Sequence, residues 1–502
     1  MSLRLDAAGS LQQQIFRALR SDIGAGRIVA GSKLPASRTL ASELHVSRNT
    51  IVAAYEQLCA EGYAETRPGA GTFVAEIVAE IVAAIVAAIA SGVVAETQVE
   101  AVDEIAESII QPRWSEFSKR LDKVSDHLVF RHSRQRMRYD FFYGEPGYAD
   151  LPIAQWARII GKTARNLTES QLGYAPTGGL VELRTALSQY LQRARGVRCD
   201  PSQVMIVQGA QEAIELVTRA FVDLAALAVI EEPHYRGFER CLRAAGANII
   251  AVPVDDAGLQ TDSLLEVEGA RVAYITPSHQ FPGGSVLSLA RRMALLDWAA
   301  KNQTVIVEDD YDGEFRYESR PIASMQSLDR SGSVIYVGTA SKILFPSLRL
   351  GWMVLPKALL PTFQRLKALS DTNCSTLEQL AFTEFVVGGH LERHIHKVRK
   401  KHLRRRAALL ETLDSQLHDQ AEVIGTSAGI HILLRLKKIP FEKMTEVIQK
   451  AAGQSVGIYP ANPYYMNPPS YVELLLGYAS LEPKQIRTGV RRLARVIREI
   501  SG

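Results

Sequence analysis

The chain has 502 residues, 47% of them hydrophobic, with 58 Lys and Arg against 54 Asp and Glu and a formal net charge of +4. That length leaves room for more than one domain, and the balance is that of a globular protein, neither disordered nor acidic, whose slight basic excess is compatible with nucleic acid without arguing for it. The four cysteines (Cys59, Cys199, Cys241, Cys374) form no Cys-x-x-Cys pair, which speaks against a disulfide framework or a zinc site, and no basic segment leads into an apolar core at the start; no metal is expected, and a reducing cytoplasm is the expected setting.

In chain order, Leu11, Ile15, Leu19 and Ile23 recur at helical spacing, and Gly24-Ala25-Gly26 closes this first helix. A second helix follows Pro35 with Ser37 as its N-cap. A turn at His45-Val46 leads to a third helix, capped by Ser47 and carrying Ile51, Tyr55 and Leu58. Gly62-Tyr63-Ala64-Glu65-Thr66 and Gly71-Thr72-Phe73-Val74, joined through Pro68-Gly69, read as the two strands of a wing. A helix-turn-helix sends the first residues of its second helix to base edges. Here these are Ser47, Arg48, Asn49 and Thr50; Arg pairs with guanine and Asn with adenine in two-point geometry. Arg38, at the start of the preceding helix, is placed for phosphate. Taken alone, the tetrapeptide reads equally as a capped, solvated helix start.

Residues 76–111 hold 7 acids and no base, and Ile-Val-Ala-Glu/Ala repeats with a period of four from Ile77 to Ile89. Glu80 lies inside this run and Ser91-Gly92 interrupts it, so its apolar part falls short of the roughly 20 residues a membrane span needs. A period of four drifts around a 3.6-residue helix and makes no clean coiled-coil seam. The stretch reads as a low-complexity helical linker, with a dimer-forming helix as the alternative. Residues 112–138 swing to 8 bases against 3 acids and complete the tether. The expected division is a head over 1–75, a linker over 76–137 and a large domain over 138–502.

Across the large domain, short apolar runs alternate with helical stretches: Val204–Val207, Leu227–Ile230, Val272–Ile275, Val305–Val307 and Val334–Val337. Buried strands separated by helices predict an open α/β sheet, with its chemistry at the carboxyl ends of the strands. Lys342 follows one such run. A lysine that joins an aldehyde cofactor needs a carboxylate for the ring nitrogen, a phosphate cup and a stacking face. In Glu308-Asp309-Asp310-Tyr311-Asp312, Asp309 and Tyr311 are two apart and point to one side in extended geometry, with Asp310 pointing away. Gly209-Ala210-Gln211 opens a helix whose first N–H groups suit a phosphate. Thr339, Ser341 and Arg349 flank the lysine, and Tyr235 is a stacking candidate. Each also has a plain structural reading as a cap, a turn or a surface aromatic.

Together the motifs carry a resemblance. Residues 10–75, including Ser37-Arg38-Thr39, Val46-Ser47-Arg48-Asn49-Thr50 and Arg67-Pro68-Gly69-Ala70-Gly71-Thr72-Phe73-Val74, resemble the GntR winged-helix regulators. Residues 139–500 are similar to fold-type I aminotransferases, through Gly173-Tyr174-Ala175-Pro176-Thr177-Gly178-Gly179, Gly209-Ala210-Gln211, Thr276-Pro277-Ser278-His279-Gln280-Phe281-Pro282-Gly283-Gly284, Glu308–Asp312, the Lys342 segment and Leu475–Leu481. The combination resembles the MocR subfamily, a winged helix-turn-helix fused to an aminotransferase-like α/β domain. The resemblance implies pyridoxal 5'-phosphate (PLP) joined to Lys342, with Asp309 at the pyridinium nitrogen, Tyr311 at the ring oxygen and Tyr235 against the ring. It also implies phosphate contacts from Ala210, Gln211, Thr339, Ser341 and Arg349, and from Tyr174 into the other subunit of a head-to-tail homodimer. Arg38, Ser47, Arg48, Asn49, Thr50 and Gly69 fall where members contact double-stranded DNA.

Two departures stand out. Gly283 replaces a usual Thr, which is expected to loosen a turn, and no Arg occurs from Pro440 to Ile486, where aminotransferases place one for the substrate carboxylate. The leading expectation is therefore a regulator that senses PLP or an amine and controls vitamin B6 or amine metabolism. The rival is a working aminotransferase with a passive head. His390, His394 and His396 have a metal-like spacing but read as a solvated face. The basic run Lys397–Arg406 reads as a charged helix surface, with DNA phosphate contact as the sharper alternative.

Overall fold

A computed structural model describes residues 3–76, 113–122, 124, 137–317 and 322–501. The chain divides into two compact units, Met1–Arg113 and Trp114–Gly502. The Ile77–Ile89 repeat lies outside the described residues.

In the first unit, α1 (Leu11–Gly24) is capped by Ser10, whose hydroxyl accepts from Gln13 N while Gln13 reaches back to the cap. This reciprocal box fixes the helix start. Ile15, Leu19 and Ile23 are buried, whereas Leu11 at the first turn is half exposed. The helix α2 (Ser37–Glu43) begins with Ser37 as its first residue, preceded by Ala36, and no side chain caps it. The expectation of a Ser37 cap is therefore corrected: the serine sits one residue too far in to reach the free N–H groups. His45 turns the chain with φ +53°, and α3 (Arg48–Ala60) follows with Ser47 as cap, its hydroxyl 3.2 Å from Thr50 N. Ile51 and Leu58 pack with Leu19, Leu40 and Val74. The antiparallel pair β1 (Ala64–Arg67) and β2 (Gly71–Val74) forms the wing, with Arg67 opposite Gly71.

The second unit is built on an eight-stranded sheet. Its strands are β3 (Val204–Val207), β4 (Leu227–Glu232), β5 (Asn248–Asp255), β6 (Gly258–Leu259), β7 (Val272–Ile275), β8 (Val305–Asp309), β9 (Val334–Thr339) and β10 (Gly351–Val354). They lie in the order β3-β10-β9-β8-β7-β4-β5-β6. The five strands from β9 through β5 run parallel, while β10 is antiparallel to both of its neighbours. The expected apolar runs are all strands of this sheet, and they lack alternation because both faces are covered. Met205, Val207, Val307 and Val337 pack on one face with Ile214, Val217 and Phe238. Val204, Ile206, Tyr336 and Trp352 pack on the other with Leu183, Leu187 and Phe382. A four-stranded sheet near the C-terminus, β11 (Ala421–Ile424), β12 (His431–Pro440), β13 (Tyr459–Pro460) and β14 (Tyr471–Gly477), runs in the order β11-β12-β14-β13.

Two surface readings are corrected. His394 is buried, its Nε2 2.9 Å from Ile343 O. Within the helix His390–Leu417, His402 and Arg405 are buried as well. Arg405 pairs with Asp150 and, at 2.6 Å, with Glu482, and Lys401 also pairs with Asp150. The side chains of Lys401 and Arg405 cross to acids supplied by distant segments, so this side of the basic run is an internal seam, while Lys397, Lys400 and Arg404 stay exposed as a charged helix surface.

Candidate cofactor cavity and DNA-reading head

The parallel strands end at one edge of the large sheet, and the chain leaves that edge through the residues the motifs single out. β3 leads to Gly209, β4 to Tyr235, β7 to Thr276, β8 to Tyr311, and β9 to Ser341 and Lys342. The antiparallel β10 begins at the same edge. Its Gly351 lies between Thr339 and Val207, where an added Cβ would stand 2.9 Å from Gly209 Cα and 3.0 Å from Gly338 O. Only a residue without a side chain lets the β3 and β9 loops close around Arg349. The result is a cavity of about 710 Å³.

Lys342, Asp309, Tyr311, Tyr235, Ala210, Gln211, Thr339, Ser341 and Arg349 all line it. Tyr174 does not; it is 90% exposed. Asp309 ends β8 and is 4% exposed. Its Oδ2 accepts from Tyr274, while its Oδ1 is buried with no hydrogen-bond partner among the described residues. Burial pushes this carboxyl up to about 7, opposed by the Tyr274 hydrogen bond and helped by the neighbouring Asp310. Asp310 does point away: it receives Arg195 Nε at 2.6 Å and Nη2 at 2.8 Å, and Tyr336 OH at 2.7 Å. Lys342 Nζ donates to Gly144 O at 2.6 Å. Burial together with the acids Asp312 and Asp309 raises the Tyr311 hydroxyl well above its ordinary value.

At the far end of the cavity, Gly209 (φ +88°) caps the helix Ala210–Phe221. The first N–H groups of a helix lack intrahelical partners and carry its positive dipole end. Thr339 Oγ1 and Ser341 Oγ stand 3.0 Å apart beside it, and Arg349 donates to Gln208 O. Behind Gln208, Lys367 is fully buried against Glu212 (2.9 Å) and Asp371 (2.8 Å), and Gln208 Nε2 donates to Asp371 at 2.9 Å. This ion cluster braces the loop from inside.

The motifs left several lining residues without a role: Tyr143, Tyr274, Phe281, His431 and Tyr464. Phe281 lies within the Thr276–Gly284 motif, but nothing local says that its ring turns inward. His431 is held neutral, pushed down to about 3 chiefly by burial. Gly283 N donates to Gln280 Oε1 at 2.8 Å, which ties this turn to the preceding residues. Glu473, in the segment that lacks an arginine, is buried on β14 and held by Arg435 Nε at 2.7 Å and Tyr465 OH at 2.6 Å.

In the head, Arg38, Ser47, Arg48, Asn49 and Gly69 are exposed and Thr50 is half-buried. Arg48 Nε lies 3.4 Å from Ser37 Oγ, which ties the starts of α2 and α3 together. Gly69 adopts φ +73° at the tip of the wing, where only glycine turns without strain.

A winged DNA-reading head in one chain with a lysine-centred cavity at the carboxyl edge of an α/β sheet defines a helix-turn-helix transcriptional regulator built on an aminotransferase-like domain. Residues 11–74 match the bacterial regulatory proteins of the gntR family, and residues 145–493 match aminotransferase class I and II. The chain belongs to both families, and with them to the MocR group of regulators. It is 33% identical to the "Probable rhizopine catabolism regulatory protein MocR" of Rhizobium meliloti over 97% of this chain and 94% of that one. It is 26% identical to the HTH-type pyridoxine biosynthesis transcriptional regulator PdxR of Corynebacterium glutamicum, over 86% and 84% of the two chains. Among solved structures, Pyrococcus horikoshii kynurenine aminotransferase, in complex with PMP, matches with a TM-score of 0.68 and 27% identity, covering 79% of this chain and 98% of that one. Among the described residues, no helix is long and apolar enough to cross a membrane.

Proposed function

We propose that the chain is a regulator whose affinity for DNA is set by PLP held at Lys342. The observation that carries this reading is Asp309 Oδ1, a buried carboxylate oxygen without a partner among the described residues, in a residue that lines a lysine-bearing cavity. A buried acceptor left unsatisfied is costly, and a pyridinium N–H is the donor that suits it. The remaining donor set fits the same molecule. Lys342 would carry the cofactor, Tyr235 would lie against the ring and Tyr311 would bond the ring oxygen. The N–H groups of Ala210 and Gln211, with Thr339, Ser341 and Arg349, would hold the phosphate. When bound, PLP supplies an aldehyde that condenses with amines and a ring that withdraws electrons. The near-complete exposure of Tyr174 supports a head-to-tail homodimer in which it reaches the phosphate of the partner's cavity.

PLP itself is the effector we favour over an α-amino acid. Arg349, in the phosphate cup, is the only guanidinium lining the cavity among the described residues, and His431 is held neutral. A substrate carboxylate therefore finds no second cation of the kind that binds it bidentately. The name of the Corynebacterium relative fits genes of vitamin B6 supply as the targets. On the DNA side, Arg48 and Asn49 would read bases, Arg38, Ser47 and Thr50 would hold phosphates, and Gly69 would bring the wing to the backbone.

The test is DNA-binding affinity for the segment upstream of its own gene, measured at fixed salt with cofactor-free and PLP-loaded protein. A coupling of about 1–3 kcal/mol gives roughly a 5- to 150-fold difference. Identical binding by the two forms refutes PLP as the effector. Steady turnover of an amino donor and an oxo acid, with no DNA bound by either form, would favour the aminotransferase reading.

A further inference from the structure

The cavity wall behind Tyr311 holds a group to which neither the motifs nor the proposed cofactor contacts give a part. His279 is 2% exposed. Its Nδ1 stands 2.8 Å from Tyr311 OH and 3.0 Å from Asp312 Oδ2, and its Nε2 is buried with no partner among the described residues. Gly429 and Gly284 make this seat: an added Cβ would stand 2.1 Å from His279 Cε1 at the first and 3.0 Å from Nε2 at the second. His431 closes the other side, with its ring centroid 5.4 Å away.

Which nitrogen of a histidine carries the proton is set by its partners. Two observations agree here. Asp312 is an acceptor and calls for a proton on Nδ1. Among the described residues Nε2 has nothing to donate to, and a buried N–H without an acceptor is rarer in proteins than a buried lone pair without a donor. With Nδ1–H donating toward both Asp312 and the Tyr311 oxygen, Tyr311 cannot spend its own proton on the imidazole. It is left to donate elsewhere, and Tyr311 lines the cavity.

We propose that His279, oriented by Asp312, is the positioning residue that commits Tyr311 to donate its hydrogen bond into the cavity, onto the oxygen of a phenolate-like ring. His279 does not itself line the cavity. The proposal rests on the PLP reading for the identity of that ring, and on the geometry alone for the tautomer.

Two measurements test it separately. In cofactor-free protein, 15N-histidine NMR reads the tautomer: an Nδ1–H pattern at His279 is expected, and an Nε2–H pattern overturns the proposal whatever the cavity binds. In PLP-loaded protein, the pH dependence of the visible absorbance reads the donor. A donor on the ring oxygen stabilises its negative charge and weakens the proton affinity of the lysine nitrogen beside it. H279F should therefore move the midpoint to higher pH by about one unit, the worth of a weakened bond to a charged group. H279L, which offers Tyr311 no polar atom and does not crowd the seat, should shift it the same way. Y311F should shift it at least as far, and adding H279F to Y311F should do nothing more, since two residues acting as one unit are not additive. An unmoved midpoint in both His279 variants, or a double variant that sums the two shifts, overturns the proposal. A wild-type protein that shows no visible band with PLP sinks the cofactor reading instead, and the NMR result then decides the tautomer by itself.

Discussion

Replacing Asp309 by Asn tests the electrostatics of the cavity most directly. Asp309 is buried and held at about 7, against 3.8 for an unperturbed aspartate. The folded chain therefore binds a proton through a window in which the unfolded chain has released it. Stability contributed by the protonated carboxyl is complete below the unfolded value and is lost as pH rises toward the folded one. From these two values the loss between pH 5 and pH 8 is about 2–3 kcal/mol. Asp309→Asn keeps an acceptor for Tyr274 but brings buried N–H groups, a cost of about 1–3 kcal/mol at every pH. The absolute stability of the variant is thus a poor guide, and its pH dependence is the signal. In urea unfolding of cofactor-free protein, the stability of Asp309→Asn relative to wild type should rise by about 2–3 kcal/mol from pH 5 to pH 8. The buried acids Glu308 and Glu314 titrate in both proteins and cancel in the difference, and Glu231, raised first by burial and only to a lesser degree by Asp309, cancels for the larger part. The same variant should bind PLP about 10- to 150-fold more weakly, the worth of one bond to a charged group. A stability difference that stays flat with pH would refute the buried-charge argument, and unchanged PLP affinity would refute the pyridinium pairing.

Arg349→Ala should weaken PLP binding by about 10-fold or more while leaving the binding of pyridoxal, which lacks the phosphate, within about 2-fold; equal losses for both ligands would remove Arg349 from the phosphate cup. Arg38→Ala should weaken DNA binding uniformly across sequences and lower the salt-dependence slope by about 1, whereas Arg48→Ala should cost about 1–3 kcal/mol at one base pair and relax specificity there, both read in binding titrations on operator variants. Arg195→Met leaves Asp310 buried without its guanidinium, with Tyr336 as its remaining side-chain donor, and should lower the unfolding free energy of the large unit by about 3–5 kcal/mol. A loss below about 1 kcal/mol would mean that Arg195 is not what offsets the buried charge of Asp310.

What local sequence determines here is what a short window can encode. The burial of Ile15, Leu19 and Ile23 follows from helical spacing, and the cap at Ser47 from side-chain chemistry one turn away. The strands β3, β7, β8 and β9 follow from apolar runs too short to be helices, and Asp309, Tyr311 and Lys342 from their place just past those runs. Ser37 shows the limit even there, since a shift of one residue takes it out of capping reach.

The tertiary structure decided the pairings between distant segments. Asp310 could be placed facing away from Asp309 by alternation alone, but not given Arg195, which is 115 residues earlier and arrives only because the helix Val181–Arg195 packs across the sheet. Arg405 and His394 look like solvated charge until Asp150 and Ile343 O come to meet them. His279 and Tyr311 are 32 residues apart, on loops after β7 and β8, and they meet because those strands are neighbours in the sheet. Periodicity and turn chemistry are written residue by residue along the chain. Strand order is not, and it is strand order that assembles the buried polar wall of the cavity.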